Sequence, residues 1–281
     1  MKFGASTFIW ASPFSPETFH LVDKVKAFGF DILEICIEDP RTIPAAETRA
    51  YMEARGIQAL VCGAFGPNRD ISSEDSRVRE EGLAYIRTCV DFAVQLGSPL
   101  VSGPMYAATG KTRLLTPAEK KQQLEWTVEN LKAAADYAGE KGVKLAIEPL
   151  NRFETDLINT VEQGVNLLER VNHSNVGFLL DTFHMNLEEK SIGDAIRAAG
   201  KHILNFHSCE NDRGIPGTGH IPWEEVSKAL QDIQYDGYVV IEAFTTDIKE
   251  IARAVSQWRP LASSQDAIAA EGITFLKSVL R

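Results

Sequence analysis

Four residues able to ligate a metal stand at or just beyond the ends of short apolar runs. Glu148 follows Lys144-Leu-Ala-Ile, Asp181 follows Val176-Gly-Phe-Leu-Leu, His207 follows Ile203-Leu-Asn-Phe, and Glu242 follows Tyr238-Val-Val-Ile. Three carboxylates and one imidazole make an oxygen-rich set suited to a hard or borderline divalent cation such as Mn²⁺, Co²⁺ or Mg²⁺. A cation held this way can chelate a carbonyl oxygen and an adjacent hydroxyl, and stabilise the enediolate left when a proton leaves the neighbouring carbon. Glu148 and Glu242 lie on well-separated runs, so they can approach a substrate from opposite sides. One carboxylate then removes a proton from one face and the other returns it to the opposite face, which is epimerisation. Return to the neighbouring carbon would instead give an aldose–ketose isomerase, and the residues leave both outcomes open.

The ligands are separated by 33, 26 and 35 residues, each about the length of one strand, loop, helix and return. Polar residues on successive units of that kind converge if the strands are parallel neighbours in a closed barrel, where every strand's carboxyl end opens onto one face. The rest of the chain keeps the same rhythm. Strand-like runs fall at 2–8, 31–38, 58–65, 99–105, 144–150, 176–184, 203–210 and 238–244. Helical patterns fall between them at about 16–28, 45–55, 76–96, 117–141, 161–171, 193–199 and 223–233, with a last one near 265–280. Ser15-Pro16 and Thr116-Pro117 read as helix starts, and Gly29, Gly56, Gly97 and Gly142 as stops. Eight repeats with no break in composition predict a single α/β domain over 1–281, a (β/α)₈ TIM barrel. No G-x-G-x-x-G follows the first run, which argues against a dinucleotide-binding sheet.

The totals narrow the partners. Lys+Arg of 29 against Asp+Glu of 39 gives a net charge of −10, with no basic cluster, so no nucleic-acid or membrane surface is expected. The four cysteines are scattered without C-x-x-C spacing, the N-terminus has no leader pattern, and no apolar segment reaches spanning length. A cytoplasmic protein is expected.

Long segments after strands three, four, seven and eight share the face onto which the ligands open, and would build a substrate pocket there. Phe8, Cys62 and Tyr106 stand near that face as pocket-wall candidates, although Cys62 and Cys209 read first as packing residues, with no base–acid pattern nearby for a nucleophile. His184, three residues past Asp181, is read as a substrate contact or a core histidine. Arg213 and Glu154 by themselves read as loop charges. His20, His173 and His202 receive no role.

At these residues the chain resembles the xylose-isomerase-like barrels, and within them the ketose 3-epimerases that act on D-tagatose and D-allulose (D-psicose). The resemblance rests on Ile147-Glu-Pro-Leu-Asn-Arg-Phe-Glu154, Leu180-Asp-Thr-Phe-His184, Phe206-His-Ser-Cys-Glu-Asn-Asp-Arg213, Pro216-Gly-Thr-Gly-His-Ile-Pro-Trp223 and Val240-Ile-Glu-Ala-Phe244. It implies a divalent metal, Mn²⁺ foremost, at Glu148, Asp181, His207 and Glu242, with Glu148 and Glu242 doubling as the acid–base pair. It implies that Glu154, His184 and Arg213 bind the O1–O3 end of a ketose, and that the protein assembles as a homodimer or homotetramer. The segment Gly103-Pro-Met-Tyr-Ala-Ala-Thr-Gly110 departs from the family pattern in lacking the tryptophan that ketohexose epimerases often carry there, so the resemblance does not extend to how the far end of the sugar is held. D-fructose/D-allulose, D-tagatose/D-sorbose and a shorter ketose such as ribulose are all candidate substrates.

Four other readings compete. A hydroxypyruvate- or rhamnose-type isomerase would share the barrel. A sugar-phosphate epimerase would use Arg213, Lys111 or Arg113 as anion partners, without a glycine-rich cradle. An abasic-site endonuclease would require more metal-binding histidines and a basic groove. A binding protein without chemistry would leave the opposed glutamates unexplained.

Overall fold

The computed structural model of the chain describes residues 1–280; Arg281, the last position of the expected barrel, lies outside the described residues. The apolar runs form strands β1 (Lys2–Ser6), β2 (Ile32–Ile37), β3 (Gln58–Gly63), β4 (Leu100–Gly103), β5 (Lys144–Ile147), β6 (Val176–Asp181), β7 (Ile203–His207) and β8 (Tyr238–Ile241). Each pairs in parallel with the next, and β8 returns to β1 through Gly4 opposite Val240, closing an eight-stranded barrel. β2 and β6 are buried at every position, as expected of parallel strands covered by helices outside and by the barrel interior within.

The helices are α1 (His20–Phe28), α2 (Ala45–Glu53), α3 (Ser76–Leu96), α4 (Pro117–Glu140), α5 (Val161–Val171), α6 (Thr182–Glu188), α7 (Ile192–Ala199), α8 (Trp223–Asp232), α9 (Lys249–Ala254) and α10 (Gln265–Val279). Thr116 opens α4 with a capping box, its hydroxyl accepting from the Glu119 N–H while Glu119 reaches back to the Thr116 N–H. Gly29 and Gly97 end α1 and α3 with φ of 88° and 82°, a conformation that costs glycine nothing.

Two differences from the sequence pattern matter. The run expected to stay extended to His184 ends at Asp181, because the Asp181 side chain accepts from the Phe183 N–H at 2.7 Å and starts α6. His184 therefore sits on a helix. Ser15-Pro16 opens only a single 3₁₀ turn, Pro16–Thr18, before α1 begins at His20.

Side chains alternate across a strand, so one face of each strand fills the barrel. At its lower end Ile32, Leu60, Leu100 and Val240 pack into a small apolar cluster of their own, each fully buried aliphatic contributing about 1.5–3 kcal/mol. Two residues further along β2, Glu34 begins a polar layer, bonded to Asn205 Nδ2 at 2.8 Å and Ser102 Oγ at 3.4 Å. The larger apolar cluster lies between the outer faces of the strands and the helices. No helix among the described residues is long and apolar enough to cross a membrane.

Candidate active site

Above the polar layer the barrel brings Glu148, Asp181, His207 and Glu242 together, and one potential ligand atom from each lies within 4.8 Å of the others. Asp181 and His207 are register partners on β6 and β7, a pairing reached after a register irregularity between Phe178 and Leu179. Glu148 follows the last residue of β5 and Glu242 the last of β8, and all four side chains are buried.

His207 is held by Glu34, whose Oε1 lies 2.8 Å from Nε2. That bond places the ring's proton on Nε2 and turns Nδ1 toward the cluster, 3.5 Å from Glu242 Oε2. Nδ1 and Glu148 Oε1 are buried without a hydrogen-bond partner among the described residues. Orphaned polar atoms of this kind are costly to bury. A lone pair on nitrogen and carboxylate oxygens facing one point are the donor set that a divalent cation satisfies, so these residues fit the metal. A second trio, Glu34, Cys36 and Cys62, lies close by, but the Glu34 carboxylate is committed to Asn205 and His207.

The two glutamates are biased in opposite directions. Burial, reinforced by the Glu242 carboxylate, pushes the Glu148 carboxyl well above the usual range. Burial also acts against ionised Glu242, but the charges of His207 and Arg213 outweigh it and draw Glu242 down to about 2.

Arg213 is buried rather than solvated. Its Nη1 donates to Asp181 Oδ2 at 2.6 Å, to Glu242 Oε2 at 2.8 Å and to Cys209 Sγ at 3.0 Å. Phe183 and Phe244 flank its guanidinium, with ring centroids 4.2 and 5.2 Å away. The neutral His184 ring accepts from the Asn151 N–H at Nδ1 (3.1 Å), while its Nε2 lies 3.2 Å from the Arg213 Nη2 donor and 3.6 Å from Glu148 Oε1. Burial holds His184 below its usual pKa, which favours that neutral form. Glu154 is fixed by Asn151 Nδ2 at 2.8 Å.

A cavity of about 460 Å³ opens over the cluster, and Glu148, Glu242, Glu154, His184 and Arg213 all line it, together with Phe8 and Cys62. Tyr106 lies behind this wall. It is fully buried, its hydroxyl donating to the Ile158 carbonyl at 2.8 Å and accepting from the Leu150 N–H at 3.2 Å, so it braces the segment after β5. Lys111 and Arg113 are tied to carboxylates, Lys111 to Asp70 at 2.7 Å and Arg113 to Asp156 at 3.2 Å. Glu34, Asn205 and Asn151 had no role in the sequence pattern. Glu34 lies mid-strand in an apolar run, and only barrel closure sets it beside His207.

Comparison with known proteins agrees with this fold. The family described as xylose isomerase-like TIM barrel matches residues 22–279. A probable ketose 3-epimerase of Synechocystis sp. is 34% identical over 99% of this chain and 96% of its own. A D-psicose 3-epimerase of Ruminiclostridium cellulolyticum is 35% identical over 95% of this chain and 92% of its own. The solved structure of D-psicose 3-epimerase with D-tagatose from Clostridium cellulolyticum H10 superimposes with a TM-score of 0.91 at 33% identity, covering all of both chains.

Proposed function

The chain belongs to the xylose isomerase-like TIM barrel family and, within it, to the ketose 3-epimerases, isomerase-class enzymes; from this premise we propose that it epimerises free ketoses at C3 with the help of a divalent cation, Mn²⁺ foremost. The observation that carries the mechanism is the convergence of Glu148 and Glu242 from β5 and β8 on one buried point beside Asp181 and His207. Glu148, Asp181, His207 and Glu242 would hold the cation, which when bound supplies Lewis-acid polarisation of the ketose carbonyl and its neighbouring hydroxyl.

The chain's own groups do the rest. One glutamate takes the C3 proton while the other, carrying a proton, delivers it to the opposite face of the same carbon; the reverse reaction exchanges their roles. His184 presents Nε2, and Arg213 presents a guanidinium aimed by its two carboxylate partners and two aromatic neighbours. Both stand where negative charge develops on the substrate oxygens. Glu154 accepts a hydroxyl at the O1 end. The cavity's lining places carboxylates and one committed arginine around the ligand, and with Lys111 and Arg113 paired elsewhere this favours a neutral sugar over a sugar phosphate.

The test is incubation of Mn²⁺-loaded protein with D-fructose, D-tagatose and D-ribulose in D₂O. A C3-epimeric ketose carrying deuterium at C3, lost with EDTA, is the expected product. An aldose labelled at C2 would make the same site an isomerase.

A further inference from the structure

The mechanism leaves one ionisable group of the cavity wall unused. Glu38 directly follows β2, which stands across the closed barrel from β6, so it lies on the side of the barrel opposite Asp181. It lines the cavity among apolar and backbone neighbours that include Phe8, Gly63 and Phe65.

Its surroundings are built to hold it still. Ser12 donates its hydroxyl to Glu38 Oε1. Arg69 Nη2 donates to the Glu38 carbonyl at 2.6 Å, and Nη1 to the Ala64 carbonyl at 2.7 Å. The Arg69 guanidinium lies 3.7 Å from the centroid of Tyr85, whose hydroxyl donates to the Ile37 carbonyl at 2.6 Å. Arg69 thus spends its hydrogen bonds on main-chain oxygens and leaves the nearby carboxylate unpaired. Glu38 Oε2 is buried and has no partner among the described residues.

A fixed carboxylate oxygen on a cavity wall, with no donor from the protein, is matched by a donor from the ligand. Resting on the ketose reading above, we propose that Glu38 is the specificity determinant for the sugar's far end, accepting a hydroxyl at C5 or C6 while Glu154, His184 and Arg213 hold the reacting end. A site made to accept one hydroxyl discriminates strongly against the analogue that lacks it, because the acceptor is then left unpaired.

The test compares metal-loaded wild type and Glu38→Leu on D-fructose and its 5-deoxy and 6-deoxy analogues. Wild type should turn over one analogue about 10- to 100-fold less efficiently than the parent sugar. Glu38→Leu should lose a similar factor in kcat/KM on the parent, mostly through KM, yet less than about threefold on that same analogue, the coupling expected of two groups in contact. Equal losses on all three sugars, or no loss on any, would overturn the assignment while leaving epimerisation standing. Absence of ketose turnover by wild type would overturn the epimerase reading and this assignment with it. If Glu38→Leu unfolds, Glu38→Gln replaces it: the same selective loss, smaller in size, supports the proposal, and a uniform one rejects it.

Discussion

Glu34 Oε1 and His207 Nε2 lie 2.8 Å apart with both side chains fully sealed from solvent. The carboxylate fixes the tautomer and the ring plane, and so decides which nitrogen points into the cluster. Partners of this kind typically affect metal affinity by about 10- to 100-fold. Glu34→Ala should therefore weaken Mn²⁺ binding by about that factor, read by calorimetric titration of the apo-protein. Affinity within twofold of wild type would leave Glu34 a packing group.

The same contact has a pH consequence. Burial opposes a charged imidazole at His207, but the carboxylates of Glu34 and Glu242 outweigh it and raise its pKa well above the usual value. A ligating histidine must be neutral at the metal-facing nitrogen, so protons compete with the cation. Metal affinity should rise as pH rises through the neutral range. A flat profile in titrations at several pH values would contradict this competition.

Glu148→Gln and Glu242→Gln should each reduce turnover by at least about 10²–10⁴-fold, with circular-dichroism melts close to wild type. Double-digit percentage activity in either variant would sink the two-glutamate mechanism.

Arg213 combines a φ of 67° with four polar contacts inside the site. Its planar fork lets one nitrogen serve the carboxylates while the other faces His184, a geometry lysine cannot copy. Arg213→Lys and Arg213→Ala should both lower kcat/KM by about 100-fold or more. An unchanged kcat/KM in either would remove the residue from the reaction.

Glu210 is buried beneath the segment linking β7 to α8, and accepts from the N–H groups of Asn211, Gly217 and Ile221 and from Trp223 Nε1 at 2.8–3.1 Å. Burial opposes its charge, yet these four donors prevail and its pKa falls below 4.5. A depressed folded pKa means stability that is complete above the unfolded value and is lost as pH falls through the folded one. Wild type should therefore lose stability below about pH 4.5, and Glu210→Gln should show a shallower acid loss together with a cost of about 1–3 kcal/mol at pH 7. Urea melts at pH 4 and pH 7 separate the two effects.

The four ligands were legible because each ends a strand-like run in phase with the repeat, and a closed barrel maps that spacing onto one face. Glu34 and Asn205 were not, since a polar residue inside an apolar run gains its meaning only from strands three to five neighbours away. The start of α6 was hidden because Asp181-Thr-Phe-His continues an apolar pattern, and only the Asp181 cap turns the chain. Glu38 stood in the sequence as one acidic residue before another. Its isolation from cations depends on Arg69 reaching past it to backbone oxygens.

The plug of Ile32, Leu60, Leu100 and Val240 also governs traffic. It stoppers the barrel directly beneath the Glu34 layer, so the chamber has a floor that neither water nor sugar crosses. Solvent and any small molecule therefore reach the chamber only from the opposite end, where Phe8, Phe65 and Phe244 line the cavity.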